Sequence, residues 1–316
     1  VNVRIVAGLS LAEPIGMPLD AFLPEPIQKG LDSSDAHQLH SRLCDLNRAR
    51  TRPTTDASRW ESVLDEELRL RRIEYGYVED MREIVRARAA CAPTTPDAFV
   101  AWFEDLKKTG PGQGDPLFPW LEHHASFEQL RWFLTQEMAG EAGFEDLVAW
   151  TQVKLPVQAK LELARNYWDE MGQGTPGGMH GPMLEQLGHA LDLTVTVEGT
   201  VWESLALGNL MSALGANRHY TYQSVGALGA IELTAPGRAA CVNAGMKRLN
   251  VAGSARRYYA LHATLDIKHS AAWNREVLRP LVASDPRVAT AIAEGALMRL
   301  LAGERCFVRY RRQLMP

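Results

Sequence analysis

Residues 258–273, YYALHATLDIKHSAAW, constrain this chain more than any other stretch. His262, Asp266 and His269 stand at i, i+4 and i+7. At ~100° per residue the three fall on one stripe of a helix, within about 60° of each other. Tyr259 and Trp273 lie at the two ends of that stripe, and Lys268 points elsewhere. An aromatic stripe interrupted by His, Asp and His is not a solvent face. Burying three titratable groups is costly unless something pairs them. A divalent metal does so, since imidazole nitrogen and carboxylate oxygen are its natural ligands. A His–Asp–His hydrogen-bond network without metal does so as well. The helix alone does not choose between them.

The chain is long enough to bury such groups. At 316 residues it should hide roughly 75% of its unfolded surface. Hydrophobic residues make up 46% and charged residues 23%, which excludes disorder and collagen-like structure. No apolar run approaches ~18 residues, so no membrane span is expected. A net charge of −4 gives no electrostatic case for a nucleic-acid partner. Cys44, Cys91, Cys241 and Cys306 form no CxxC pair, which excludes a zinc ribbon or thioredoxin-type site. They read as reduced, mostly buried thiols of a cytoplasmic protein. Residues 1–12 hold a short apolar run with one Arg, less than the apolar core of a signal peptide.

Helical periods separated by short breakers organise the rest. Pro14, Pro18, Pro24, Pro26 and Pro53 interrupt 1–55, which reads as an irregular arm carrying a helix over 34–50. A long helix over 57–90 is heavily charged, and that charge reads as a solvated face. Pro96 opens another helix at its first turn. Residues 109–116, TGPGQGDP, are the clearest loop. Ser126 and Gln129 form a capping box ahead of Leu130, Phe133 and Leu134. Further helices are expected at 156–172, 182–192, 200–214, 218–233, 236–248, 253–271, 272–283 and 287–311. Only 193–201, with Val-Thr-Val, has strand character, and it is too short and isolated to make a sheet. The class is all-α, with an N-terminal arm and helical extension over 1–95 and a core over 96–316.

Three more helices place polar groups on apolar stripes. Glu232 closes the otherwise uncharged helix before Pro236, where it is either a solvated end or a ligand. Glu170 shares a face with Leu163, Asn166 and Tyr167, and His180 follows beyond a Gly-rich break. Each has an ordinary reading, as a helix-end carboxylate and a helix cap. Glu137 and Glu141 continue the stripe of the capping-box helix, though Glu141 near its end has a solvated reading too. Inward-pointing Glu, Asp and His from several helices are how di-iron and di-manganese carboxylate bundles are built. The paired Glu-x-x-His repeats of ferritin-like bundles are absent.

The ordered set Glu170, His180, Glu232, His262, Asp266, His269 resembles that of the heme-oxygenase-like diiron oxidases, also called iron-containing redox enzymes. The strings NYWDEMGQG, GALGAIELTAPGR and LHATLDIKH are similar to that family too, and the likeness covers about 97–285. The resemblance implies a seven-helix bundle like that of heme oxygenase, binding two ferrous ions through those six residues and using O2. It also implies that an upstream carboxylate, Glu137 or Glu141, joins the site on loading. Family activities are N-oxygenation of amines, desaturation, and oxidative C–C cleavage of amino or fatty acids. N-oxygenation of a small amine or amino acid in specialised metabolism is the favoured expectation. An external electron donor is then required, and a homodimer is compatible with it. A carboxylate on the substrate would need an Arg, for which Arg165, Arg218 and Arg238 are candidates. The competing class is a cofactorless helical binding protein, which would have no need of all six ligands.

Overall fold

The computed structural model describes residues 33–55, 58, 60–141 and 143–315. Most of the arm expected over 1–55 lies outside the described residues. Two glycines set the closest helix packing. A methyl group on Gly226 would sit 1.9 Å from the Ile292 carbonyl oxygen, and one on Gly295 would sit 1.8 Å from that of Gln223. The helices carrying them, α10 (Thr221–Arg248) and α13 (Val288–Leu314), therefore touch backbone to backbone. Along α10 also packs α11 (Arg257–Ala272), so α10 is central to the bundle.

The remaining helices surround this trio. They are α1 (Ser33–Thr51), α2 (Trp60–Ala89), α3 (Pro96–Thr109), α4 (Leu117–His123), α5 (Phe127–Gly140), α6 (Phe144–Thr151), α7 (Val157–Glu170), α8 (His180–Ala190), α9 (Trp202–Ala216) and α12 (Arg279–Ser284). No strand occurs among the described residues, so the chain is all-α as expected. One apolar cluster includes Phe99, Phe103, Leu163, Leu210, Trp273 and Ile292. A second includes Leu121, Phe133, Leu187, Met246 and Tyr310. Residues of α1 and α2, such as Leu43, Tyr77 and Met81, belong to the first. No helix among the described residues is long and apolar enough to cross a membrane.

Local chemistry explains several boundaries. The capping box of α5 is present, with Ser126 Oγ accepting from Gln129 N at 3.2 Å and Gln129 Oε1 accepting from Ser126 N at 2.8 Å. The solvated face of α2 carries the pairs Arg69–Glu66 and Arg71–Glu67, each at 2.8 Å.

Other expectations are corrected. Pro236 does not end a helix: α10 runs through it, and the residues expected as two helices form one. Proline removes only the hydrogen bond to the Glu232 carbonyl, and packing against α4, α11 and α13 holds both sides together. Residues 253–256 are turns, and 257–283 likewise do not break. A π-helical turn, Trp273–Leu278, joins α11 to α12. Residues 193–201 form turns and coil. Of the four free thiols only Cys306 is buried; Cys91 is exposed, and Cys44 and Cys241 are half-buried. The short helix α4 was not expected.

Candidate metal centre

His262, Asp266 and His269 are all buried on the inward face of α11. His262 Nδ1 lies 2.9 Å from Asp266 Oδ1, and its Nε2 is buried with no hydrogen-bond partner. His269 Nε2 meets Asp169 Oδ2 at 3.2 Å. Its Nδ1 is also buried and unpartnered, although Glu232 Oε2 is 3.4 Å away and Glu170 Oε1 is 3.7 Å away. Each ring thus has one nitrogen held by an aspartate and one buried without a hydrogen bond.

The carboxylates come from α7 and α10. Glu170 is the last residue of α7 and is buried, not solvated. Glu232 is buried mid-helix, its Oε1 accepting from Asn166 Nδ2 at 2.6 Å, so its reading as a solvated helix end is wrong. The Gly-rich break then does its local work. Gly172 has φ +59°, and a Cβ there would lie 2.4 Å from the Gly178 carbonyl carbon. Only glycine permits so tight a return. It brings His180, the first residue of α8, back to Glu170, with Nδ1 2.9 Å from Oε2. Tyr258 Oη is 3.2 Å from His180 Nε2, and the Phe144 ring stacks on the imidazole at 5.9 Å.

All six residues expected as ligands therefore converge. Glu170, His180 and His262 each offer one ligand atom, all within 4.8 Å of one another, and so do Glu170, Asp266 and His269. Glu170 belongs to both triads. Glu137 and Glu141 line the same cavity of about 140 Å³. Glu141 caps α5, accepts from Gly143 N at 3.0 Å and lies 3.6 Å from His180 Nε2. Glu137 lies deeper toward Tyr310, Arg238 and Arg299.

Without a cation this cluster is electrostatically unsatisfied. Burial, helped by the Asp266 and Glu170 charges, pushes Glu232 up to about 7 despite His269. Burial alone would lower His269, but Glu232, Glu170 and Asp169 raise it to about 9. Burial likewise opposes the charged form of His180, yet Glu141 and Glu170 hold it well above the ordinary histidine value. Unpartnered ring nitrogens among crowded carboxylates are a donor set that fits divalent metal.

Residues 131–304 match the family described as iron-containing redox enzymes. The chain belongs to that family. All six converging residues of this iron-containing redox enzyme lie within the matched segment, as do Glu137 and Glu141. No curated protein matches the sequence.

Some neighbours of the centre escaped the sequence. Asn166, on the face of Glu170, bonds Glu232, and Asp169 and Tyr258 bond His269 and His180, contacts that spacing alone does not announce. Glu145, on α6, is buried with Oε2 unpartnered. Of the arginines expected near substrate, Arg165 pairs with Glu162 at 2.6 Å, and Arg218 binds the carbonyls of Trp150, Thr151 and Val153. Only Arg238 lines the cavity, joined by Arg299, whose one signal is a lone cation inside the apolar run of α13. Among the aromatics of these helices, Phe133 lines the cavity, while Trp132, Trp150, Trp202, Tyr220 and Tyr222 pack in the core clusters.

Proposed function

We propose that this iron-containing redox enzyme is a non-heme diiron oxygenase, with Glu170, His180, Glu232, His262, Asp266 and His269 holding two ferrous ions. The observation that carries this is the pair of buried ligand triads sharing Glu170, with ring nitrogens that have no protein partner. Iron bound there supplies electrons and open coordination positions for the activation of O2.

The protein's own groups prepare that chemistry. Asp169 fixes the orientation and tautomer of His269, and Asn166 fixes Glu232, as outer hydrogen bonds do at metal sites. Phe144 and Leu184 wall the cavity and keep bulk water from the reacting atoms. Glu141, 3.6 Å from His180, is the upstream carboxylate better placed to join the centre on loading. Burial pushes Glu137 above the ordinary carboxylate range, against the pull of Tyr310, Arg238 and Arg299.

The favoured reaction is N-oxygenation of a small amine or amino acid. One oxygen atom enters the N–H bond and the other leaves as water. That stoichiometry consumes two electrons and two protons, which an external donor must provide. Oxidative C–C cleavage or desaturation of an amino or fatty acid is the alternative, favoured by the apolar walls Phe133, Leu184, Leu207 and Val242. Mass spectrometry of amines, amino acids and fatty acids incubated with the ferrous protein, a reductant and O2 tests this. A product gaining one oxygen on nitrogen is expected. Iron-loaded protein that yields no O2-dependent product from any class would count against the oxygenase assignment.

A further inference from the structure

At the cavity end away from the histidines, two guanidinium groups face a single carboxylate. Arg238 of α10 and Arg299 of α13 both line the cavity, and Glu137 is the acid beside them. Arg238 is partly engaged. Its Nη2 donates to Thr234 Oγ1 at 2.6 Å, and its Cζ lies 5.3 Å from the Phe307 ring centre and 5.9 Å from that of Phe118. Arg299 is not engaged: its Nε and Nη1 are buried and have no hydrogen-bond partner. No ion pair within 4.0 Å involves either guanidinium among the described residues.

The room for Arg299 is built in. A Cβ on Gly303, one turn further along α13, would come within 2.9 Å of its Nη1. The bundle therefore makes space for a buried cation and then leaves it unpaired beside a second cation. An unpaired buried charge is destabilising, and cores discard one where nothing binds it. Burial, and then the neighbouring Arg299 charge, lowers Arg238 to about 9, as expected for cations lacking an anion.

We propose that Arg299, aided by Arg238, is the anion-binding element of the pocket, and that the substrate carries a carboxylate held there. The assignment of the cavity to substrate rests on the iron-centre reading above. Charge selects the anion. Two guanidinium groups beside the single carboxylate of Glu137 leave this end of the cavity net positive, which draws an anion. A planar carboxylate also matches the paired N–H groups of guanidinium. The body of the substrate then extends between Phe118, Phe133 and Leu207 toward the histidine cluster. Arg299 is thus a positioning and specificity residue: it sets which atom of the substrate reaches the reactive end.

Isothermal titration calorimetry on the full chain tests this, using octanoate, 3-phenylpropionate and N-acetylleucine with their neutral amides, plus methyl phosphate. The ferrous protein is kept free of oxygen so that nothing turns over. At least one carboxylate should bind saturably and its amide at least tenfold more weakly. Arg299→Met should weaken the acid at least tenfold and leave the amide unchanged, while Arg299→Lys should restore part of the difference. The melting temperature of ligand-free R299M should equal or exceed that of the parent, because an unpaired buried charge has been removed. Four results overturn the proposal: no carboxylate binds, amides bind as well as acids, methyl phosphate binds more tightly than every carboxylate, or R299M keeps full affinity. A lower melting temperature in both Arg299 variants would also overturn it, by making the residue part of the fold's frame. The iron-centre reading fails separately, on the iron content of the unsubstituted protein in the same samples.

Discussion

At His269 the two ring nitrogens have different surroundings. Nε2 is tied to the partly exposed Asp169, and Nδ1 faces Glu170 and Glu232 unbonded. His269→Ala therefore gives up one hydrogen bond whose partner can be rehydrated. The expected loss of stability is only on the order of 1 kcal/mol, while bound iron and turnover collapse. Melting temperature and metal analysis of the variant check this; unchanged iron would leave His269 a core polar group. Asp169→Asn keeps the size but weakens the orienting acceptor, and should lower iron affinity about 10- to 100-fold, read by competition with a chelator. Glu141→Ala should reduce iron retention more than Glu137→Ala, since Glu141 alone of the two stands against His180. Equal retention would contradict that order. Side-chain spacing on one helix was the legible part: the i, i+4, i+7 set is inward, as its stripe requires. Glu232 stayed open between a solvated end and a ligand on spacing alone, because Pro236 suggested a nearby helix end. Arg299 was missed because long-range burial of a lone cation has no periodic signature.

Elements explain what spacing could not. Pro236 is tolerated because α10 is packed along both halves, so tertiary contact outweighs the lost hydrogen bond. The π-helical turn after α11 is a local departure from helical period that no pattern announces, and such turns are common at functional sites. It turns Trp273 into the core, its Nε1 2.6 Å from where a Cβ on Gly229 would stand. Gly226→Ala should destabilise by about 1–3 kcal/mol or more, because the added methyl meets a backbone carbonyl that cannot rotate away. Urea denaturation reads this, and an unchanged midpoint would mean that α10 and α13 do not meet as described. Amide exchange gives a second element-level test. Three of the six proposed ligands sit on α11, so iron loading should slow exchange across Arg257–Ala272 more than across α2, through coupling of metal binding to local folding. Identical exchange with and without iron would speak against that coupling.

Over the whole molecule, the all-α class was readable because helical periods recur between Gly and Pro breaks. How α1 and α2 attach was not readable, since their apolar faces name no partner. The structure puts His40 of α1 between Tyr77 of α2, at 4.8 Å, and Trp202 of α9, at 5.8 Å. Burial, with Arg305 and His37 nearby, lowers His40 to about 3, against about 6.5 for an unfolded histidine. Between those values the unfolded chain binds the extra proton. Stability should therefore rise with pH and fall as pH drops from about 6.5 toward 3, by up to ~1.4 kcal/mol per pH unit. Denaturant midpoints for the parent and His40→Phe should diverge across that window, with the variant flatter; parallel curves would contradict it. The central claim concerns stoichiometry. Anaerobic titration of the metal-free protein with ferrous iron, followed by removal of unbound metal and elemental analysis, should give two irons per chain, matching the two ligand triads that share Glu170. One iron per chain, or none, would contradict the proposed diiron centre.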